Sequence, residues 1–242
     1  MTRAVLKWIE ATPSERVADL RQSTLYARAT EAQLLAVAER ARRVRLPLGY
    51  ELFRFGEPAT QFAIVLVGLV ELHRYAPDRE DAILGLFGPT DTVGLPAILE
   101  RGHYPISVVA GTRSCEVLTV EAAALLDRMP EDAQLSMAVT QVLLEHIRAL
   151  RTKIDILSCA NLSRGLATLF LDLGRRFGRA EQGQIVVPIE LSRTRLAQIL
   201  GAREETVIRM LGRWRDAGWV TLERQRLVLA DPQAVSKLRA EG

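Results

Sequence analysis

The sequence predicts an α+β chain: a β sandwich, barrel or jelly roll, then a long helix, then a winged helix-turn-helix. Three observations predict it. From Leu46 to about Val120, short apolar runs alternate with Gly, Pro and Asp turns, the mark of an all-β unit. From near Glu131 the period changes, and Leu143, Ile147, Leu150, Ile154 and Leu157 recur at steps of four and three. That is an a/d seam of about two heptads, which favours a partner helix. Beyond Pro188, two short helices flank Gly201-Ala202 and a hairpin follows, the skeleton of the helix-turn-helix.

In chain order, residues 1–45 read as helical. Thr30 and Gln33 form a capping box before Leu34, Leu35 and Val37. A weaker amphipathic helix precedes it. Residues 46–130 form the β unit, with strands over 62–67, 69–75, 82–87, 107–110 and 115–120, and turns at Gly68, Pro77-Asp78 and Gly88 to Asp91. Residues 121–130 return to helix and break at Pro130. Residues 131–160 are the long helix, whose other reading is an ordinary amphipathic helix lying on its own sheet. Asn161 caps a helix over 162–177 that Gly178 ends, which makes Cys159-Ala160-Asn161 a hinge to a last domain over 161–242.

Of the 242 residues, 48% are hydrophobic and 25% charged, the balance of a globular protein. The longest uncharged stretch, 58–70, is too short to span a bilayer. Arg3 and Lys7 are followed by Glu10, Glu15 and Asp19 rather than an apolar leader, so the chain reads as cytoplasmic, with no membrane partner. Cys115 and Cys159 have no close Cys or His partner. That excludes a zinc site of ordinary spacing and a cysteine-ligated iron–sulfur cluster, and reads as two reduced thiols. Neither a Ser/His/Asp set nor a phosphate-loop motif is visible, so no enzyme is expected.

Charge is uneven. Residues 161–242 hold 14 Lys and Arg against 9 Asp and Glu, and basic charge gathered in the last third points to a polyanion. Ser192 caps the first short helix, with Leu196 and Ile199 facing inward. The second, from about Arg203 to Ala217, buries Val207, Met210, Leu211 and Trp214. Its other face carries Glu205, Arg209 and Arg213 at spacings of four, so they share one side. Arginine matches guanine O6/N7 in the major groove and a carboxylate accepts from cytosine N4, so Arg203, Glu205 and Arg209 are the expected base readers. Arg193, Thr194, Thr206, Arg213 and the wing residues Arg224 and Arg226 suit phosphates, which position without reading sequence. The opposing reading is a solvated helix with a Glu–Arg pair.

The chain resembles the CRP/FNR family of bacterial transcription regulators over nearly all its length. Residues 201–211, Gly-Ala-Arg-Glu-Glu-Thr-Val-Ile-Arg-Met-Leu, resemble that family's recognition helix, with the Glu-Thr-Val-x-Arg core at Glu205 to Arg209. Gly49-Tyr50-Glu51-Leu52-Phe53 and Phe55-Gly56-Glu57-Pro58-Ala59 resemble the opening turns of its cyclic-nucleotide-type β roll, and Gly68, Gly88, Asp91 and Gly94 fall at the later turns. The resemblance implies a homodimer on an inverted repeat of double-stranded DNA, Arg209 reading a guanine and Glu205 a cytosine, with RNA polymerase as a further partner. Glu204 stands where the cyclic-AMP receptor has a base-reading arginine, Arg203 at a usually small N-cap, and Ile208 where the fumarate–nitrate regulator has serine. The borrowed reading therefore covers only the core bases. The alternative is a ligand-binding module whose winged helix makes protein contacts.

The effector pocket implied by the resemblance draws on Gly94, His103, Ile106 and Ser107, with Leu150 and Arg151 on the long helix. Family members that bind cyclic AMP use Gly-Glu for the ribose and Arg-Ser for the phosphate. Here Gly94 is followed by Leu95-Pro96, and the Arg-Ser position reads Pro105-Ile106 or Ile106-Ser107. A buried phosphate without its cation is expensive, so the expected signal is not cyclic AMP. His103 makes haem one candidate, Arg151 makes a carboxylate such as a 2-oxo acid another, and no small effector is a third.

Overall fold

The computed structural model describes residues 6–76, 79–159, 161–223 and 226–240. Two units result: residues up to Tyr75 with Leu86–Ile147, and Ala76–Gly85 with Arg148 onward.

The first unit opens with strand β1 (Lys7–Ile9) and helices α1 (Pro13–Arg21) and α2 (Glu31–Glu39). Capping boxes start both helices: Thr12 with Glu15, and the expected Thr30 with Gln33. Next along the chain come β2 (Ala41–Leu46), β3 (Glu51–Phe53), β4 (Gln61–Val67), β5 (Val70–Ala76), β6 (Arg79–Phe87), whose residues through Gly85 fall with the second unit, and β7 (Thr92–Val93). Helix α3 (Leu95–Leu99), strands β8 (Ser107–Ala110) and β9 (Cys115–Glu121), helix α4 (Ala122–Leu126) and the 25-residue helix α5 (Ala133–Leu157) follow. Two sheets form, ordered β1-β2-β9-β4-β7 and β3-β8-β5-β6. Phe62, Ile64, Leu118 and Val120 of β4 and β9 pack with Leu20, Leu34 and Val37 of the opening helices and with Leu135, Val139 and Val142 of α5. That core fixes the first half of α5 to the roll.

The helical reading of residues 1–45 needs correction at both ends. Lys7–Ile9 pairs antiparallel with β2, Trp8 opposite Val44, and β2 itself begins at Ala41. The cause is pairing along a sheet edge, which no local period announces. Helix α3 was also unforeseen: Gly94, at φ +83°, turns the chain into it and Pro96 occupies its first turn, where proline is tolerated. The expected turn at Pro77-Asp78 and the hinge residue Ala160 lie outside the described residues.

The second unit contains α6 (Leu162–Phe177), β10 (Arg179–Glu181), β11 (Gln184–Val187), α7 (Arg193–Leu200), α8 (Glu204–Asp216), β12 (Val220–Glu223), β13 (Arg226–Leu229) and α9 (Pro232–Ala240). Asn161 caps α6 by accepting from the Arg164 amide. The four strands order as β10-β11-β13-β12. Trp214 meets Phe170 edge-on with centroids 6.0 Å apart, so α8 is anchored on α6 by an aromatic pair. Among the described residues no helix is long and apolar enough to cross a membrane.

Candidate nucleic-acid interface

Helices α7 and α8 are set by three local devices. The Ser192 side chain accepts from the Arg195 amide and starts α7. Gly201, at φ +62°, ends it in the left-handed region, where a Cβ would be strained. Val207, Leu211 and Trp214 then bury one face of α8. The opposite face is consequently held outward.

That outward face carries the expected residues. Arg203 is the exposed N-cap of α8 and makes no capping bond with its side chain. Glu205, Ile208, Arg209 and Arg213 are exposed. Among the described residues Glu205, Arg209 and Arg213 enter no ion pair, so their charged groups are open to an external partner. Glu204 and Glu205 sit in the first turn, where the helix dipole favours anions. Glu204 is turned away from this set: it is half-buried and its Oε2 accepts from Thr194 Oγ1 at 2.9 Å.

The phosphate candidates divide. Arg193 is exposed in the first turn of α7, and Thr206 is half-buried on α8. Thr194 holds Glu204. Arg226 donates through Nε to Glu223 at 2.6 Å across the wing hairpin, an exposed pair that a phosphate can replace at little cost. Arg224 lies outside the described residues.

Lys153 was not foreseen. It is 8% exposed, and its Nζ donates to the main-chain carbonyl of Ile199 near the end of α7. Desolvation lowers its pKa to about 8. Its spacing of three from buried Ile156 was the available signal.

Helix α5 shows a second open surface. Ile147, Leu150, Ile154 and Leu157 are 43%, 51%, 61% and 55% exposed. Leu143, the fifth residue of the expected seam, is half-buried against the core of the first unit, while Leu144 beside it is 40% exposed.

Comparison with known proteins decides the family. The cyclic nucleotide-binding domain model matches residues 43–132 and the Crp-like helix-turn-helix domain model matches residues 166–238. Among curated relatives, the CRP-like cAMP-activated global transcriptional regulator of Mycobacterium tuberculosis is 26% identical over 204 residues, covering 84% of this chain and 91% of that protein. The chain belongs to the CRP/FNR family of transcription regulators. The global nitrogen regulator of Synechococcus elongatus is 24% identical, covering 86% of this chain and 98% of that one. In fold, the chain is similar to FixK2 from Bradyrhizobium japonicum, with a TM-score of 0.73 at 22% identity over 84% of this chain and 98% of the other.

As a CRP/FNR regulator, the protein is a DNA-binding transcription factor and not an enzyme. Its domain family points to a small-molecule effector. A Cβ on Gly94 would lie 2.9 Å from the Phe53 ring, and the next side chain, Leu95, is fully buried in the core. Ser107 is buried and its hydroxyl accepts from the Phe55 amide at 3.0 Å, while Ile106 is half-buried. Neither a ribose carboxylate nor a phosphate guanidinium occurs at these positions. His103 is exposed in a loop bridged to Pro58. Leu150 and Arg151 are exposed on α5 in the second unit.

Proposed function

We propose that this CRP/FNR regulator works as a homodimer on an inverted repeat, with one α8 per half-site and a controlling signal other than cyclic AMP. The observation that carries the reading is the pair of open surfaces on two helices: the apolar stripe of α5 and the unpaired Glu205–Arg209 face of α8. Covering a large apolar side chain gains ~1.5–3 kcal/mol, so an exposed stripe at coiled-coil spacing favours a second copy. Two-fold pairing then places two recognition helices one DNA turn apart, about 34 Å. Arg209 is assigned to guanine, Glu205 to cytosine, Arg203 to a base beside this core, and Arg193, Thr206 and Arg213 to phosphates. Arg224 and Arg226 of the wing complete the phosphate set.

The absent ribose and phosphate partners support the choice of signal. The Mycobacterium tuberculosis relative is named for activation by cyclic AMP, and the present residues argue against carrying that name over.

Anisotropy titration of labelled duplex at rising salt, with and without cyclic AMP, tests the reading. Affinity falls steeply with salt, by about 0.9 log units per log unit of salt for each phosphate neutralised, and cyclic AMP changes nothing. Salt-independent association, or tightening by cyclic AMP, overturns it.

A further inference from the structure

Away from α8, a cavity of about 350 Å³ opens in the first unit among the turn joining α1 to α2, α2 itself and the first turns of α5. Ligand sites run from ~300 to ~1,000 Å³. Leu25, Ala29, Val37, Leu135 and Ala138 give it chiefly apolar walls.

The polar groups along it are not alike. Gln33 Nε2 donates to Asp132 Oδ2 at 2.8 Å, and Asp132 Oδ1 accepts from the Leu135 amide at 2.9 Å. Gln33 Oε1 accepts from the Thr30 amide at 2.7 Å. The side-chain oxygens of Gln33 and Asp132 are therefore already engaged. Tyr26 differs: it lines the cavity, is 2% exposed, and its hydroxyl is buried with no hydrogen-bond partner among the described residues. Such groups are rare and costly unless something satisfies them. Arg128 also lines the cavity and its charge acts on that hydroxyl. Only Nη1 of its guanidinium is engaged within the described residues, donating to the Gln33 carbonyl at 3.2 Å. Arg28 adds a second positive charge to the lining. Burial holds the Tyr26 hydroxyl protonated, well above the ordinary phenol range, so it is available as a donor.

At the Tyr26–Arg128 side of this apolar chamber the open capacity is thus that of donors beside positive charge. We propose that this cavity binds a small apolar carboxylate, its body against Leu25, Val37 and Leu135 and its head accepting from Tyr26 Oη and Arg128. The site is separate from the family's pocket residues at Gly94 to Ser107. It touches both the opening helices and the base of α5.

The test uses the full chain with 3-phenylpropionate and its neutral counterpart, 3-phenylpropionamide, followed by titration calorimetry and saturation-transfer NMR. The acid binds saturably, and the amide binds at least tenfold more weakly. Tyr26→Phe, which removes one oxygen and keeps the ring, weakens the acid about tenfold, and Arg128→Gln does the same independently. Circular dichroism confirms that each variant is folded. No saturable binding of the acid, equal binding of acid and amide, or wild-type affinity in both variants overturns the proposal. A cavity that holds only water, or is closed by a second copy of the chain, gives the first of these results.

Discussion

Thr194 Oγ1 donates to Glu204 Oε2 at 2.9 Å, joining the first turn of α7 to the first turn of α8. Glu204 therefore braces the two helices of the motif, while Arg203, Glu205 and Arg209 stay exposed around it. This explains how an acidic residue is accommodated where the cyclic-AMP receptor has a base-reading arginine. The carboxylate serves α7, and Arg209 enters no ion pair among the described residues.

Replacing Glu204 by Arg breaks that brace and adds a base reader. The variant is destabilised by about 0.5–1.5 kcal/mol, the net worth of one hydrogen bond. In selection from random duplexes it acquires a guanine preference beside the core that the wild type lacks. An unchanged selected sequence would show that position 204 does not approach the bases.

The α5 stripe predicts the oligomeric state. Ile154→Asp puts a charge on the most exposed of its leucines and isoleucines. Because a two-fold interface meets the change twice, and each burial is worth ~1.5 kcal/mol or more, dimer dissociation rises by roughly two orders of magnitude. Sedimentation velocity should show monomers at micromolar protein. A variant that stays dimeric would remove α5 as the interface.

Lys153 predicts a pH dependence with a definite sign. Burial lowers its pKa from 10.5 to about 8 in the folded chain, so between these values the unfolded chain binds more protons. Stability therefore rises with pH from about 8 to 10.5, as the cost of burying the charge is relieved. Lys153→Met removes this slope in denaturant titrations across the interval. A slope identical to wild type would place the titration elsewhere.

The two cysteines predict selective chemistry. Cys115 is buried on β9 and its thiol is pushed up to about 12, whereas Cys159 is half-buried, with Sγ donating to the Asp155 carbonyl. Since the thiolate is the nucleophile, iodoacetamide at pH 8 should label Cys159 in the folded protein and Cys115 only after denaturation. Labelling of both at equal rates in the native state would contradict the burial of β9.

Much of this was legible because it is local. Ser192, Gly201 and Gly218 punctuate the C-terminal helices, and the buried residues of α8 fall on one stripe, so residue identity and spacing were enough. The strands over 107–110 and 115–120 follow from apolar runs and turn residues in the same way. What stayed hidden depends on distant partners. Strand β1 is three residues with little burial, defined by β2 more than thirty positions away. The engagement of Thr194, the burial of Lys153 under α7 and the unpartnered hydroxyl of Tyr26 are properties of packed neighbours. Composition assigned Thr194 to phosphate and passed over the other two.

Selection of bound duplexes from a random pool by the wild type and by Arg209→Ala tests the assignment of the α8 face to DNA bases. The expected wild-type site is an inverted repeat with a G·C pair at the core of each half-site. The variant is expected to lose that core preference, each lost contact costing ~1–3 kcal/mol of discrimination. A wild-type half-site without a G·C core, or the same site selected by Arg209→Ala, would contradict the assignment.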